Sequence, residues 1–584
     1  MARPMNNGRR LATQQSVDQA IKSICDIMRR GNCAGTLQYV PELTWILFLR
    51  ILDEQEEKEE REARTLGIPF KPSLEAPYRW RDWAAPDGPK RKELQDGALG
   101  AFFAFVNGVP GPDRKPAGLL PYLKSLKTRP DATPRQKVVS EVMTGVERVR
   151  IDTERNLLDV LDKVHAITAE TVDPTHVFTL SQVYEGLLLK MGEKANDGGQ
   201  FFTPRQVIKA MVEAIDPQAD ETIYDPGCGT GGFLAQTYEY ISARLGAMAT
   251  ARQIETLKHR AFWGREKENL IYPIALANLV LHGIDKPNLW HGNTLTGQEI
   301  YGGLFEGAPA FFDVILTNPP FGGKEGKDAQ TNFDYKTGST QVLFLQHVIR
   351  SLKDGGRCGI VLDEGLLFRT NEEAFVKTKQ KLLNDCDLWC ILSLPGGVFA
   401  AAGAGVKTNL LFFTKGRPTK KIWYYDLSDV KVRKKTPLTM ERFQEFLRFL
   451  PQRAESELSW TVDMEKRKRQ AAEEARPFKE QAQRKAQEAA RWKEKLQELK
   501  KSAKTRSAAL AEAEEKLRTV TREAREAAGK AAEIEAAVFD LKAVNPHRKP
   551  DVDTRTPEQL LDIIEAKGRE IAEALSVLRS QAPR

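Results

Sequence analysis

The sequence predicts an α/β chain: a doubly wound, mainly parallel sheet in the middle, a helical domain before it, and a helical hairpin or coiled coil after it. Three observations predict this. Apolar β-rich runs alternate with helical patterns between about residues 171 and 430, as expected for parallel strands with helices on both faces. Residues 1–170 carry apolar side chains at helical spacing, and residues 431–584 turn charged and heptad-patterned.

At 584 residues and 65.6 kDa the chain is long enough for several domains with substantial cores. No apolar run reaches membrane length, and the opening MARPMNNGRRLATQQS is polar and basic rather than a signal peptide, so a cytoplasmic protein is expected. The six cysteines, Cys25, Cys33, Cys228, Cys358, Cys386 and Cys390, show neither disulfide nor zinc spacing and read as core thiols. The histidines carry no ligand motif, so no metal is expected. A net charge of +8 does not by itself identify a nucleic-acid binder. Basic residues do gather at Arg9 and Arg10, from Lys115 through Lys124, Lys127 and Arg129 to Arg135, and in KVRKK from Lys431 to Lys435. Singly these read as solvated faces, and together they could furnish phosphate contacts on a duplex.

In the amino-terminal region Val17, Ala20, Ile24 and Met28 recur at helical spacing, and LTWILFLRILDE from Leu43 to Glu54 is apolar enough for a buried helix. Proline-rich stretches at 69–89 and 110–134 predict irregular connections. In GGQFFTPRQVIKAMV, residues 198–212, Thr203-Pro204 would begin a helix with proline in its first position.

ETIYDPGCGTGGFL, residues 221–234, is a short strand ending at Asp225, followed by Gly227, Gly229, Gly231 and Gly232 before a helix. Glycines at such a turn let the backbone approach a ligand and aim amide N–H groups at it. A dinucleotide fold would place an acidic residue about 20 residues later. The candidate here, Glu266 in AFWGREKE, lies 41 residues beyond Asp225, which argues against an ordinary NAD site and fits an extra helical stretch around residues 237–260. Glu266 would then end the second strand, where it could take both ribose hydroxyls or serve simply as a first-turn helix carboxylate. NLWHGNTL, residues 288–295, reads as a third strand ending at Asn293, either an adenine-edge contact or a plain turn residue.

FDVILTNPPF, residues 312–321, is an apolar strand that stops at Asn318-Pro319-Pro320-Phe321. Two prolines cannot continue a strand, so they fix a rigid turn with Asn318 at the strand's carboxyl end, where open α/β sheets bind ligands. A side-chain amide beside a proline carbonyl offers two neutral acceptors for an exocyclic amino group, and the aromatic ring offers a stacking face for a planar base. Alone, the asparagine and prolines read equally well as a capped turn. The polar, glycine-rich stretch 322–338 is expected to be a mobile surface loop, or a cover over a flipped base. Further strands are expected at residues 359–362, 388–394 and 409–413, with a helix at 340–352.

From Trp492 onward, positions such as Leu496, Leu499, Leu510, Ala513, Leu517, Val520, Val538 and Leu541 follow a three-four alternation, broken where Arg506 takes an apolar place. Thr556-Pro557-Glu558-Gln559 then caps a second helix with Leu560, Ile564, Ile571, Leu575 and Leu578 along one side, and the two together predict a helical hairpin.

FFTP, DPGCGTGGF, GREKE, GNTL and NPPF in this order resemble the S-adenosylmethionine-dependent N6-adenine DNA methyltransferases of the gamma order. Within them the chain is similar to the modification subunit of type I restriction-modification systems, by motif over about residues 173–414. The resemblance implies a Rossmann-like methyltransferase sheet and S-adenosyl-L-methionine as cofactor. It implies that Phe202, Thr203 and Pro204 lie near the methionine carboxylate, Asp225, Gly227 and Gly229 along the methionine and ribose, Glu266 on the ribose hydroxyls, and Asn293 with Leu295 beside the adenine. The family often has aspartate where this chain has Asn293. Asn318, Pro319, Pro320 and Phe321 would receive a flipped target adenine.

Implied partners are double-stranded DNA and a separate specificity subunit that carries two modification subunits, with a restriction endonuclease/translocase subunit as a further candidate. The sequence agrees in one respect: no long insert follows NPPF, so no target-recognition domain is evident, and the carboxyl-terminal helices are a suitable partner surface. Two other classes stay open from the residues alone: an N-methyltransferase acting on RNA or protein glutamine, and a catalytically silent DNA-binding scaffold.

Overall fold

The computed structural model describes residues 14–33, 36–108, 118–166, 203–399, 406–432, 436–502, 508–547 and 556–581. Two compact units divide the chain, residues 1–543 and 544–584.

The first unit is built on one sheet. Its strands are β1 Ile223–Asp225, β2 Phe262–Glu266, β3 Asn288–Asn293, β4 Gln298–Gly303, β5 Phe312–Thr317, β6 Leu352–Asp363, β7 Cys386–Ser393, β8 Thr408–Lys415, β9 Lys421–Asp426 and β10 Ser459–Asp463. They lie in the order β10-β9-β7-β8-β6-β5-β1-β2-β3-β4. From β6 through β5, β1 and β2 to β3 every pairing is parallel, and β8 runs antiparallel between β6 and β7. The chain winds outward from β1 to β4 and then returns to β5 on the other side of β1. The ends of β1 and β5 therefore flank the point where strand order reverses, which is where such sheets hold ligands.

Burial explains the winding. Val314, Ile315 and Leu316 of β5 are fully enclosed, which suits a central strand covered on both faces. The Arg205–Ile215 helix packs Val207, Ala210 and Met211 inward. Every residue of the Tyr272–Leu281 helix except Pro273 is buried: it packs on the amino-terminal helices Thr36–Leu66 and Pro134–Val142, and its Tyr272 ring stacks on His291 of β3.

Among the described residues, 14–166 contain helices and turns only. This helical region is clamped to the sheet domain by Arg135, whose guanidinium reaches Glu59 at 2.8 Å and Asp285 at 2.6 Å. Of the other basic side chains expected to meet phosphate, Lys127 pairs with Glu141 and Arg129 with Glu75. Arg135 is thus an internal tie rather than a phosphate contact. Arg9, Arg10, Lys115 and residues 433–435 lie outside the described residues.

Four expectations need revision. The sheet does not end near residue 430: β9 and β10 pair antiparallel from Lys421 to Asp463. The stretch 322–338 is tied down, with Lys324 bridging to Ser339 and the Gln346 amide bonding both the N–H and the C=O of Tyr335. The helix after Thr203 begins at Arg205, and Pro204 is its N-cap residue. Lastly, the hairpin is made by different helices. Met464–Ser502 runs antiparallel to Ala508–Ala537, locked by Lys479–Glu535, Lys485–Glu523 and Lys500–Glu514. Leu496, Leu510 and Ala513 cluster between the two helices, so the apolar seam closes upon itself, while Arg506 lies outside the described residues. The Pro557–Gln581 helix belongs to the second unit, where Leu561, Ile564, Ile571 and Leu575 are exposed.

Candidate active site

A cavity of about 270 Å³ opens at the carboxyl ends of β1, β2, β3 and β5, near the lower end of small-molecule sites. Nine of the expected residues line it: Thr203, Asp225, Gly227, Gly229, Glu266, Asn293, Asn318, Pro320 and Phe321. Pro204, Pro319 and Leu295 do not. Leu295 packs with Phe333, Leu343 and Phe344, and so backs the wall through Phe344, which does face the cavity. Phe202 lies outside the described residues.

The glycine loop leaves β1 in a path that side chains resist. Gly229 and Gly231 take φ of 52° and 80°, in the left-handed region that favours glycine. Gly231 then serves as N-cap of the Gly232–Leu245 helix. The loop is held by two carboxyl groups. Asp225 Oδ1 accepts from the Gly227 amide at 3.1 Å and from the Thr317 hydroxyl at 2.7 Å. Glu266 accepts from the amides of Gly229 at 3.0 Å and Glu268 at 2.8 Å. Burial pushes both acids up to about 7, against the opposing pull of these hydrogen bonds. Asn293 uses Oδ1 to accept from the Leu295 amide at 3.0 Å, so it forms an Asx turn while lining the cavity.

Asn318 stands directly beyond β5. Its Nδ2 donates to Thr203 Oγ1 at 3.0 Å, and its Oδ1 is enclosed with no hydrogen-bond partner among the described residues. Phe321 is half-buried and meets Phe399 edge to face, with ring centres 5.4 Å apart. A buried acceptor without a partner, beside an aromatic ring and two prolines, suits a planar ligand that carries an amino group.

Other lining residues were not evident from the motifs. Arg205, next after Pro204, donates to Gln236 and pairs with Glu239, each at 3.2 Å. Lys324, Glu325 and Thr340 form the wall beyond Phe321, where Thr340 donates to Glu325 at 3.1 Å. Proximity to a motif was the signal for Arg205, and Thr340 had none, since its approach depends on the turn that follows Phe321. Among the described residues no group of three His, Cys, Asp or Glu side chains could hold a metal ion, and no helix is long and apolar enough to cross a membrane.

The N-6 DNA Methylase family model matches residues 176–489, a span that contains the whole cavity, and the HsdM N-terminal domain model matches residues 17–105. The type I restriction enzyme EcoEI methylase subunit of Escherichia coli is 36% identical over 438 residues, which are 74% of this chain and 82% of that protein. The chain belongs to the N-6 DNA methylases, as a type I modification subunit. A second type I methylase subunit, StySJI of Salmonella typhimurium strain LT2, is 30% identical over 72% of this chain and 74% of its own length. Among solved structures, a chain from work on complex assembly and conformational transition of the type I R-M system is 32% identical. It covers 98% of this modification subunit and 100% of its own length, with a TM-score of 0.61.

Proposed function

We propose that this modification subunit transfers a methyl group from S-adenosyl-L-methionine to N6 of an adenine flipped out of double-stranded DNA, and that a separate specificity subunit, carrying two such chains, reads the sequence. The observation that carries the reading is the unpaired, enclosed Oδ1 of Asn318 in the same cavity as the glycine loop and Glu266.

The residues present fit the cofactor. Three neighbouring strand ends each offer a group suited to one part of it: backbone amides after β1 for the methionine side, the Glu266 carboxylate after β2 for ribose hydroxyls, and Asn293 after β3 for a purine edge. When bound, the cofactor supplies an electrophilic methyl on a sulfonium.

The protein's part is positional and electrostatic. The adenine amino group is a poor nucleophile because its lone pair is delocalised into the ring. Asn318 Oδ1 accepts one of its hydrogens and favours a more tetrahedral nitrogen, which turns the lone pair toward the methyl. Fixed dipoles already oriented for the developing charge, and in-line placement, supply most of the acceleration. No strong general base is needed. Phe321 stacks on the extruded base, held in place by Phe399. The test is incubation of the subunit, co-expressed with its specificity partner, with methyl-labelled cofactor and duplex DNA, RNA or protein. Label in N6-methyladenine of DNA is expected, and label only in RNA or in glutamine would transfer the reading to those substrates.

A further inference from the structure

We infer that Thr203 is a positioning residue for Asn318, its hydroxyl oxygen anchoring the carboxamide nitrogen so that the carboxamide oxygen is the end left for the target amino group. This rests on the reading of Asn318 as the acceptor of that amino group.

A primary amide has two ends of nearly equal size and opposite hydrogen-bonding sense. Turned by half a rotation, Asn318 would present its NH2 to an incoming NH2, and two donors would face each other. The structure holds the other orientation. Nδ2 donates to Thr203 Oγ1 at 3.0 Å, while Oδ1 is enclosed and unpaired among the described residues. With the target amino group in place, this orientation pairs both amino groups: the target N–H donates to Oδ1, and Nδ2 donates to Thr203, whereas in the flipped orientation the hydroxyl would donate to Oδ1 and the target N–H would face Nδ2. Remove the hydroxyl, and no other described residue accepts from Nδ2.

Local structure frees Thr203 for this task. Helix Arg205–Ile215 starts after Pro204 and takes no side-chain cap, so the hydroxyl is not spent on a helix terminus. Asn318 is constrained from its other side as well, because Thr317, its chain neighbour, is bonded to Asp225. The segment before the glycine loop and the segment after β5, 115 residues apart in sequence, thus meet in one hydrogen bond.

The test is a cycle of Thr203→Val, Thr203→Ser, Asn318→Ala and the Thr203→Val/Asn318→Ala double variant, each co-expressed with the specificity partner. It is read by single-turnover methyl transfer and by calorimetric cofactor affinity. At saturating cofactor, Thr203→Val should slow transfer about tenfold or more, and Thr203→Ser should recover most of the rate. The double variant should be no slower than Asn318→Ala, because a residue that acts through another adds nothing once the other is gone. Two results would overturn the role: normal transfer by Thr203→Val at saturating cofactor, or multiplicative losses in the double variant. Near-normal transfer by Asn318→Ala would instead overturn the reading of Asn318, and is distinguishable for that reason.

Discussion

The Thr317 hydroxyl donates to Asp225 Oδ1 across 2.7 Å, and so joins the carboxyl ends of β5 and β1 at the point where strand order reverses. The same oxygen takes the Gly227 amide. One carboxyl oxygen thereby sets the spacing between the glycine loop and Asn318, the two halves of the cavity.

That junction predicts a pH dependence of stability. Burial raises Asp225 from an ordinary value of 3.8 to about 7, so the folded chain binds this proton more tightly than the unfolded chain. Its contribution to stability is therefore fully present below the unfolded value and is lost as pH rises through about 7. Each pKa unit is worth about 1.4 kcal/mol, so the loss is on the order of a few kcal/mol at most. In the absence of cofactor, Asp225→Asn should show a smaller fall in melting temperature between about pH 5 and 8 than the native chain. An equal fall in both would show that Asp225 is not the titrating group.

Glu266 predicts the opposite slope for cofactor affinity. Its carboxyl is also held up at about 7, and the ionised form is the better acceptor for ribose hydroxyls. Affinity should rise with pH through about 7 and level off above it, whereas Glu266→Gln should bind more weakly with a flatter profile. Calorimetric titration across this range measures both. A native profile without slope, or a variant with the same slope, would remove Glu266 from the ribose.

Phe321→Tyr should keep most activity, since the ring can still stack on a base and meet Phe399 edge to face. Phe321→Ala should lose stabilisation of the extruded base by about 1 to 3 kcal/mol. Fluorescence of 2-aminopurine at the target position reports the extrusion. Normal extrusion and normal transfer by the alanine variant would reduce Phe321 to packing.

Much of the site was legible because its motifs are local. Asp225, Glu266, Asn293 and Asn318 each end or directly follow a strand that the apolar runs had marked, and a strand end aims its next residue at the cleft. What escaped depends on contacts distant in sequence. Thr340 reaches the cavity only because the turn after Phe321 brings Gly323 against it, so closely that a Cβ there would lie 2.5 Å from its hydroxyl. The segment around residue 333 looked mobile because it is polar, yet Phe333 is buried against Leu295 and Phe344. β10 spans five residues, too few for alternation to stand out. The heptads gave the helices but not their partners, since a seam of leucine and alanine records that it is covered and not by which helix.

That correction changes where the chain can be cut. Val538 and Leu541 are part of the core beneath the sheet, the Leu541 amide donates to Leu367 and the Tyr424 hydroxyl donates to Leu541. Deletion from residue 465 should therefore destabilise the sheet domain itself. Deletion of residues 544–584 should spare folding and cofactor binding, and should abolish assembly with the specificity partner if the exposed Leu561, Ile564, Ile571 and Leu575 supply the contact. Light scattering of co-expressed chains distinguishes these outcomes. An intact complex after the shorter deletion would place the contact elsewhere.

The most direct test of the central claim is the single-turnover rate of N6-methyladenine formation by Asn318→Ala, measured by mass spectrometry of nucleosides from duplex DNA with the specificity partner and cofactor present. Loss of one well-placed transition-state hydrogen bond predicts a rate about 10²- to 10³-fold below native, with cofactor affinity nearly unchanged. A near-native rate would contradict the assignment of Asn318 as acceptor of the target amino group, and with it the chemistry proposed for this cavity.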